Sequence, residues 1–159
     1  MTIQTGERIP QCTLRVMGEK GPEKVETSAL FDGKKVVMFA VPGAFTPGCS
    51  KTHLPGYVAL ADKIKAKGVD SIICLAVNDA FVMDAWGKAK NASEVIMLAD
   101  GNAEFTRAMG LEMDGSGNGM GTRCKRMAMI VEDGVVRSLT IEPPGGIVET
   151  TAEATLERL

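Results

Sequence analysis

The sequence predicts an α/β fold in which helices flank a mixed central sheet. Apolar, β-branched runs occur at residues 35–41, 71–77 and 95–98, as in buried strands. A segment with helical spacing follows each run, which is the order of a parallel α/β unit. The chain then continues with a hairpin at 127–139 and a helix at 151–159, so the sheet should also contain antiparallel strands.

The N-terminal part precedes the first of these strands and is expected to extend the fold. Residues 12–17, with the polar turn at 18–24, favour a short hairpin element. Residues 28–31 are typical of one helical turn, which Asp32 and Gly33 would close.

The helices that follow the strands are predicted from apolar spacing and from their first residues. The spacing becomes helical at Cys49 and stays so over about 49–67. A second helix, capped by Asn78 or Asp79, would run to about residue 90. A short helix is expected over 102–109.

Residues 112–121 are dense in glycine and are expected to form a loop. A loop of this length inside a compact domain is often functional. The segment is therefore a candidate to contribute to a site.

The composition is that of an ordinary soluble globular protein. Apolar residues make up 45% of the chain and charged residues 24%, and we expect one domain spanning 1–159. The formal net charge of −2 gives no basic surface for nucleic acid or an anionic membrane. The first ten residues hold no secretory signal, and no stretch approaches the roughly 20 apolar residues of a membrane span. A cytosolic protein is expected.

Four cysteines, at positions 12, 49, 74 and 124, show no paired CxxC or CxxH spacing. A metal site is therefore not expected. In a reducing compartment, free thiols or a transient catalytic disulfide are the expected forms.

Cys49 stands where a loop rich in proline and glycine gives way to a helix. The first N–H groups of a helix are unpaired and carry partial positive charge, so they stabilise a thiolate. A free cysteine titrates near about 8.5 and is only a few per cent ionised at neutral pH. A helix N-terminus with one added cation would make Cys49 a nucleophile. From position alone, a small buried hydrophobe fits equally well.

The segment around Cys49 resembles a known family. Residues 42–56 read Pro-Gly-Ala-Phe-Thr-Pro-Gly-Cys-Ser-Lys-Thr-His-Leu-Pro-Gly, which closely resembles the active-site segment of type II (five-like) peroxiredoxins. The resemblance extends over nearly the whole chain and implies a thioredoxin-like fold with an N-terminal extension. It implies a thiol peroxidase that needs no metal, flavin or haem. Pro42, Thr46 and Cys49 would be catalytic, with the backbone N–H of Gly48 supporting them.

The sequence leaves a second interpretation open for Thr46, and the Cys49 thiolate would need a cation beside it. Thr46 taken alone also fits an N-cap or a turn hydroxyl. A permanent cation near the sulfur would complete the chemistry, and arginine suits this because it stays charged. Type II peroxiredoxins carry a catalytic arginine directly before the hairpin strand, which implies Arg126, with Arg123 as a second choice in a supporting role. Each arginine alone also fits a solvated charge at a strand end.

His53 is the one histidine of the chain and lies four residues after Cys49, on the same helix face. A Cys–His pair can activate a thiol with imidazole as the base. We expect instead that His53 packs and forms hydrogen bonds in the helix, with a supporting role in catalysis.

Cys74 lies in an apolar strand, where an inert core cysteine is the usual case. Some plant-like type II members have a second cysteine 25 residues after the first, as here, and it is assigned as resolving in some of them. Other members use a cysteine near the C-terminus, but this chain has threonine at that place in 142–150. An external thiol acting on oxidised Cys49 is therefore expected, with a Cys49–Cys74 disulfide as the alternative.

The resemblance also implies partners. A hydroperoxide would be the substrate, glutathione with glutaredoxin or thioredoxin the reductant, and a second copy of the chain would pair near the active-site loops. Phe81, Met83 and Trp86 fit core or interface packing. A thioredoxin-like disulfide exchanger is a rival, but it normally has Cys-x-x-Cys, which residues 49–52 lack. A non-catalytic redox sensor is the second rival.

Overall fold

The computed structural model describes residues 1–159 and confirms the α/β fold. The strands are β1 (Thr13–Gly18), β2 (Gly21–Glu26), β3 (Lys35–Ala40), β4 (Ser71–Ala76), β5 (Ile96–Ala99), β6 (Glu112–Asp114), β7 (Thr122–Cys124), β8 (Met127–Glu132) and β9 (Val135–Ile141). The helices are α1 (Thr27–Phe31), α2 (Leu54–Lys65), α3 (Ala80–Ala89), α4 (Glu104–Ala108) and α5 (Ala152–Arg158).

A seven-stranded mixed sheet forms the centre of the molecule, in the order β2-β1-β5-β4-β3-β8-β9. The three strands β3, β4 and β5 run parallel to one another, whereas the β8–β9 hairpin and the β1–β2 hairpin join antiparallel on either side. Apart from Lys35 and Ser71, the first residues of β3 and β4, the parallel strands are apolar, as suits a sheet with both faces covered by helices. The N-terminal hairpin is the expected extension.

The two faces of the sheet carry separate cores, because successive side chains of a strand point to opposite sides. Phe39 and Cys74 face the side covered by α2, α3 and α5, and Met38 and Ile73 face the side covered by α1 and α4. Cys49 belongs to the first of these cores. No helix of the structure has both the length and the apolarity that crossing a membrane requires.

The sequence predicted a regular helix over 49–67. In the structure the start of this segment is irregular. Residues Cys49–His53 form a π-helical turn, and α2 follows directly from Leu54. The N–H of Leu54 donates to the Cys49 carbonyl, five residues back. Pro55 has no N–H to donate to residue 51, so the α-helical ladder is broken here and a wider turn takes its place.

The expectation of a loop over 112–121 is wrong at its first three residues. Strand β6 (112–114) pairs with β7 (122–124), and a short 3₁₀ turn over Ser116–Asn118 lies between them. The N–H of Gly115 donates to the Gly121 carbonyl at 2.6 Å, which closes the turn. Gly121 has a φ of +66°, which glycine adopts without strain. The glycines thus build the tip of a hairpin.

Candidate active site

Cys49 lies in the first turn after the loop that leaves the C-terminal end of β3. The carbonyl of Thr46 accepts from the N–H of Ser50 at 2.9 Å, so the helical geometry begins ahead of Cys49. Pro47 stands in the first turn, where its missing N–H costs nothing. The Cys49 side chain has 0% exposure. Its sulfur therefore sits at a helix N-terminus and out of bulk water.

Arg126 reaches this sulfur from a distant part of the chain. Its Nη2 donates to Cys49 Sγ at 3.2 Å across a sequence separation of 77 residues. The pairing of Ala40 with Met127 explains the contact, since it sets the end of β3 beside the start of β8. Of the two arginines that the sequence offered, the structure places Arg126 at the thiol.

His53 is held between two partners that fix its state. Arg126 Nη1 lies 2.7 Å from His53 Nδ1, and a guanidinium can only donate, so Nδ1 is the acceptor. His53 Nε2 lies 2.9 Å from the Thr150 carbonyl and must carry the proton. Burial lowers the pKa of His53 to about 4; the Thr150 carbonyl works against this and the charge of Arg126 works with it. His53 has no free lone pair for a proton from Cys49, so it is no general base here.

Arg123 binds the segment that leads from β3 into the π-helical turn, residues 41–50, called here the catalytic loop, and not the sulfur. Its Nε donates to the Met120 carbonyl at 2.8 Å, and its Nη1 donates to the Pro42 carbonyl at 3.3 Å. Arg123 therefore ties the tip of the β6–β7 hairpin to the loop that carries Pro42. This is how the glycine-dense segment comes to border the site.

Thr46 lies half-buried in the same loop. Its hydroxyl donates to the Gly43 carbonyl at 2.7 Å. Because the hydroxyl proton is used there, the lone pairs of the Thr46 oxygen are left to accept from a bound molecule. Both ideas that the sequence left open, turn hydroxyl and site residue, fit this geometry together.

Sequence reasoning missed two braces of the catalytic loop. Asn78, weighed only as a helix cap, accepts from the N–H of Ala44 at 2.9 Å, while Asp79 caps α3 through the N–H of Val82. Trp86, assigned to packing, also donates from Nε1 to Ser50 Oγ at 2.8 Å. For Asn78 the signal was its position two residues after the end of β4, since strand ends in α/β folds border sites.

A second missed element is the segment that follows β9, residues 142–150, called here the C-terminal loop. A Cβ added at Gly48 would lie 2.6 Å from Cδ1 of Ile147, so the loop packs directly on the backbone beside Cys49. Glycine at 48 is needed for this close approach. The loop therefore forms one wall of the site.

The remaining cysteines are all free thiols, like Cys49. Cys74 is buried in β4, where it pairs with Phe39 of β3. Burial raises the pKa of the Cys74 thiol well above its ordinary value, with the nearby Cys49 charge adding to this and Arg126 opposing it. Burial likewise raises the pKa of Cys124 to about 12. Cys12 is half-buried in the N-terminal segment.

Comparison with known proteins agrees with this geometry. A family model described as Redoxin matches residues 4–156. The chain is 45% identical to peroxiredoxin-2E-2, chloroplastic, of Oryza sativa subsp. japonica over 164 residues, which cover 99% of this chain and 73% of the rice protein.

Solved structures also match this chain over nearly its whole length. Reduced Prx3 from Vibrio vulnificus in complex with hydrogen peroxide has a TM-score of 0.96 and 52% identity, with 99% of each chain covered. Peroxiredoxin 5 from Alvinella pompejana has a TM-score of 0.86 and 38% identity, with 98% of this chain and 96% of the other covered. The chain therefore belongs to the redoxin family, as a thioredoxin-fold peroxiredoxin and thus a thiol-dependent peroxidase.

Proposed function

We propose that this peroxiredoxin reduces hydrogen peroxide and organic hydroperoxides through a sulfenic acid on Cys49. The observation that carries the proposal is the 3.2 Å hydrogen bond from Arg126 Nη2 to Cys49 Sγ. A donor with a permanent charge binds a thiolate more strongly than a thiol, and the thiolate is the nucleophile. The Vibrio vulnificus relative, solved in complex with hydrogen peroxide, supports the substrate class.

The reaction transfers one oxygen to sulfur. The Cys49 thiolate attacks the terminal oxygen of the hydroperoxide, the S–O bond forms and the O–O bond breaks. The leaving hydroxide or alkoxide takes the proton of the attacked oxygen and departs as water or alcohol, and the sulfenate left on sulfur takes a proton from solvent to become the sulfenic acid. Sulfur is oxidised by two electrons to the sulfenic acid and the peroxide is reduced by two.

The charge that develops on the peroxide oxygens meets donors that are already in place. In the proposed reaction, Arg126 and the N–H groups of Gly48 and Cys49 would donate to these oxygens, and preorganised donors in a buried site stabilise such charge most. Thr46 supplies an oxygen that accepts from the peroxide O–H. Pro42 shields the thiol from bulk water at the loop edge.

Peroxide turnover of purified protein, with an added thiol as reductant, tests the proposal. Cys49→Ser should abolish turnover, because the hydroxyl is not ionised at neutral pH. Cys12→Ser is the matched control and should leave the rate unchanged, since Cys12 lies in the N-terminal segment. Turnover that survives in Cys49→Ser would overturn the assignment. Reduction of insulin disulfides without peroxide consumption would point to a disulfide exchanger.

We further propose that an external thiol recycles Cys49, with glutathione and glutaredoxin or thioredoxin as its source. The thiol condenses with the sulfenic acid to a mixed disulfide and water, and a second thiol then releases Cys49 as a thiol. Support comes from Cys74, which is fully buried in a central strand and whose pKa is raised, so it is held mostly as an unreactive thiol. Intact mass after one equivalent of hydrogen peroxide, with Cys74→Ser beside the wild type, decides the route. A gain of one oxygen in both supports the external route, whereas loss of two hydrogens in the wild type alone assigns Cys74 as resolving.

We also propose a homodimer formed by the surface beside the catalytic loop. Phe45 of that loop is 53% exposed and Phe81 at the start of α3 is 64% exposed. The Ala44–Asn78 hydrogen bond keeps these two segments together, so both rings lie on one side of the molecule. Light scattering should give twice the chain mass for the wild type and a monomer for Phe81→Glu. A monomeric wild type at micromolar concentration would contradict the proposal.

A further inference from the structure

Glu142 connects the C-terminal loop to the catalytic centre. It follows β9 directly, and its own N–H donates to the backbone carbonyl of Arg126 at 2.9 Å. The residue as a whole is only 7% exposed. A carboxylate is costly to bury unless its oxygens are satisfied, so the groups that surround it define what it does.

Four donors of the C-terminal loop satisfy the Glu142 carboxylate. Oε1 accepts from the N–H of Val148 at 3.0 Å and from the N–H of Glu149 at 2.9 Å. Oε2 accepts from the N–H of Thr150 at 2.9 Å and from the Thr150 hydroxyl at 2.7 Å. Burial raises the pKa of Glu142, but these hydrogen bonds outweigh it and lower the pKa to about 2. The group is therefore a carboxylate throughout the physiological range.

Thr150 passes this anchoring to His53. Its carbonyl accepts from His53 Nε2 at 2.9 Å and from Tyr57 Oη at 2.8 Å, whereas the Glu142 contacts use the N–H and the hydroxyl of Thr150. Because the carbonyl accepts a hydrogen bond from Nε2–H, the proton of the neutral ring stays on Nε2. The lone pair of Nδ1 is then directed at Arg126. Thr150 is thus fixed by Glu142 on one side and fixes the tautomer and ring position of His53 on the other.

His53 in turn fixes the direction of the guanidinium. Arg126 donates through Nη1 to His53 Nδ1 and through Nη2 to Cys49 Sγ. A guanidinium is a rigid, planar fork, so holding one of its nitrogens determines where the other points. Every link from the carboxylate to the sulfur is a hydrogen bond of 3.2 Å or less.

We propose that Glu142 is a positioning residue, which acts through Thr150 and His53 to hold the Arg126 guanidinium against the Cys49 sulfur. This inference rests on the proposed function, because it concerns the same thiol. It assigns to the C-terminal loop a role in activating Cys49 as well as in covering it. The alternative is that Glu142 only stabilises the loop.

Glu142→Gln separates the two possibilities with little change of shape. The amide keeps one oxygen acceptor and puts an NH₂ group where two donors must be accepted. We expect Thr150 to shift and the Arg126 fork to lose its fixed direction. The rate of Cys49 alkylation by iodoacetamide at neutral pH and the rate of peroxide turnover should both fall by about tenfold, since small misplacements near a reacting group cost at least that much. Glu149→Gln is the matched control on the same loop, because its side chain makes only an exposed ion pair with Arg158, and both of its rates should match the wild type.

A double-mutant cycle with His53→Phe gives the deciding result. Phenylalanine keeps a ring beside Phe39, whose ring centroid lies 5.0 Å away, but it cannot contact Arg126 through a nitrogen. If Glu142 acts through His53, the Glu142→Gln change should add almost nothing once His53 is gone. Fold-losses that multiply in the double variant would overturn the proposal, and so would wild-type rates in Glu142→Gln.

Two further controls keep the result interpretable. Thermal unfolding shows whether each variant is folded. If Glu142→Gln is not folded, Thr150→Val replaces it, because this change removes one of the four donors and keeps the backbone. Thr150→Val should lower the rates of alkylation and of peroxide turnover, by a smaller factor than Glu142→Gln. A folded Thr150→Val variant with wild-type rates would then overturn the proposal. Alkylation needs no peroxide, so absence of turnover in the wild type would count against the proposed function alone.

Discussion

Cys49 and Cys74 are both fully buried on the same face of the sheet, yet only the Cys49 sulfur accepts a hydrogen bond from a charged donor. Cys49 lies at a helix N-terminus with an arginine nitrogen 3.2 Å from its sulfur. Cys74 sits within a parallel strand among apolar side chains, and burial raises its pKa. We therefore expect burial alone to make an inert thiol, and burial beside fixed donors to make a reactive one. On this expectation, the hydrogen-bond donors around the sulfur decide the reactivity of the thiol more than its depth of burial does.

The largest test of this comparison removes the donor. Arg126→Met should lower the rate constant for peroxide by about a hundredfold or more, the usual cost of losing one donor to developing charge. Stopped-flow oxidation of the reduced protein measures it. Lys125→Met, one residue away, is the control and should retain the rate. Equal rates in both variants would show that Cys49 does not depend on Arg126.

The acid stability of the Cys49 region follows from the neutral state of His53. Because the folded-state pKa of about 4 lies below the ordinary histidine pKa of 6.5, the unfolded chain binds the proton first as pH falls. This contribution to stability is complete above pH 6.5 and is lost between 6.5 and about 4. Between pH 7 and 5 it should reduce the free energy of unfolding by about 2 kcal/mol. Urea unfolding at both pH values, with His53→Phe as the variant that lacks this loss, checks the prediction.

Asn78 tests whether the catalytic loop must be braced. Asn78→Ala removes the acceptor of the Ala44 N–H, and we expect a loss of about tenfold in the peroxide rate from a looser loop. Asp79→Ala removes the neighbouring cap of α3 and should cost about 1 kcal/mol of stability with no change in rate. A wild-type rate of oxidation in Asn78→Ala would contradict the prediction, and so would an equal loss of rate in Asp79→Ala.

The smallest expected effect is that of Cys74 itself. Cys74→Ala leaves every contact of the Cys49 sulfur in place, so the rate of peroxide turnover should be unchanged. Turnover with glutathione and glutaredoxin, and separately with thioredoxin, measures it under both reductants. A loss with either reductant would mean that Cys74 takes part in recycling.

The sequence predicted the features that depend on neighbouring residues. Apolar runs marked the central strands, and the segment around Cys49 marked the site. It could not predict contacts that depend on sheet register, which is why Arg123 and Arg126 remained rivals until the Ala40–Met127 pairing separated them. Asn78 was missed because it acts on Ala44, 34 residues away along the chain. Glu142 was missed because its role depends on the contact of Thr150 with His53, which lies 97 residues earlier. The π-helical turn was missed although Pro55 was its local cause.

The hydrogen bond from Trp86 to Ser50 gives the molecule a built-in optical probe. Trp86 is the one tryptophan of the chain, is fully buried, and contacts the residue next to the reactive cysteine. Indole emission responds to its hydrogen bonding and to local polarity, so every rearrangement of this turn is reported by a single, unlabelled fluorophore. We therefore expect oxidation of Cys49 to change the intrinsic fluorescence, which would allow the redox state of the protein to be followed in real time with no dye attached and no residue replaced.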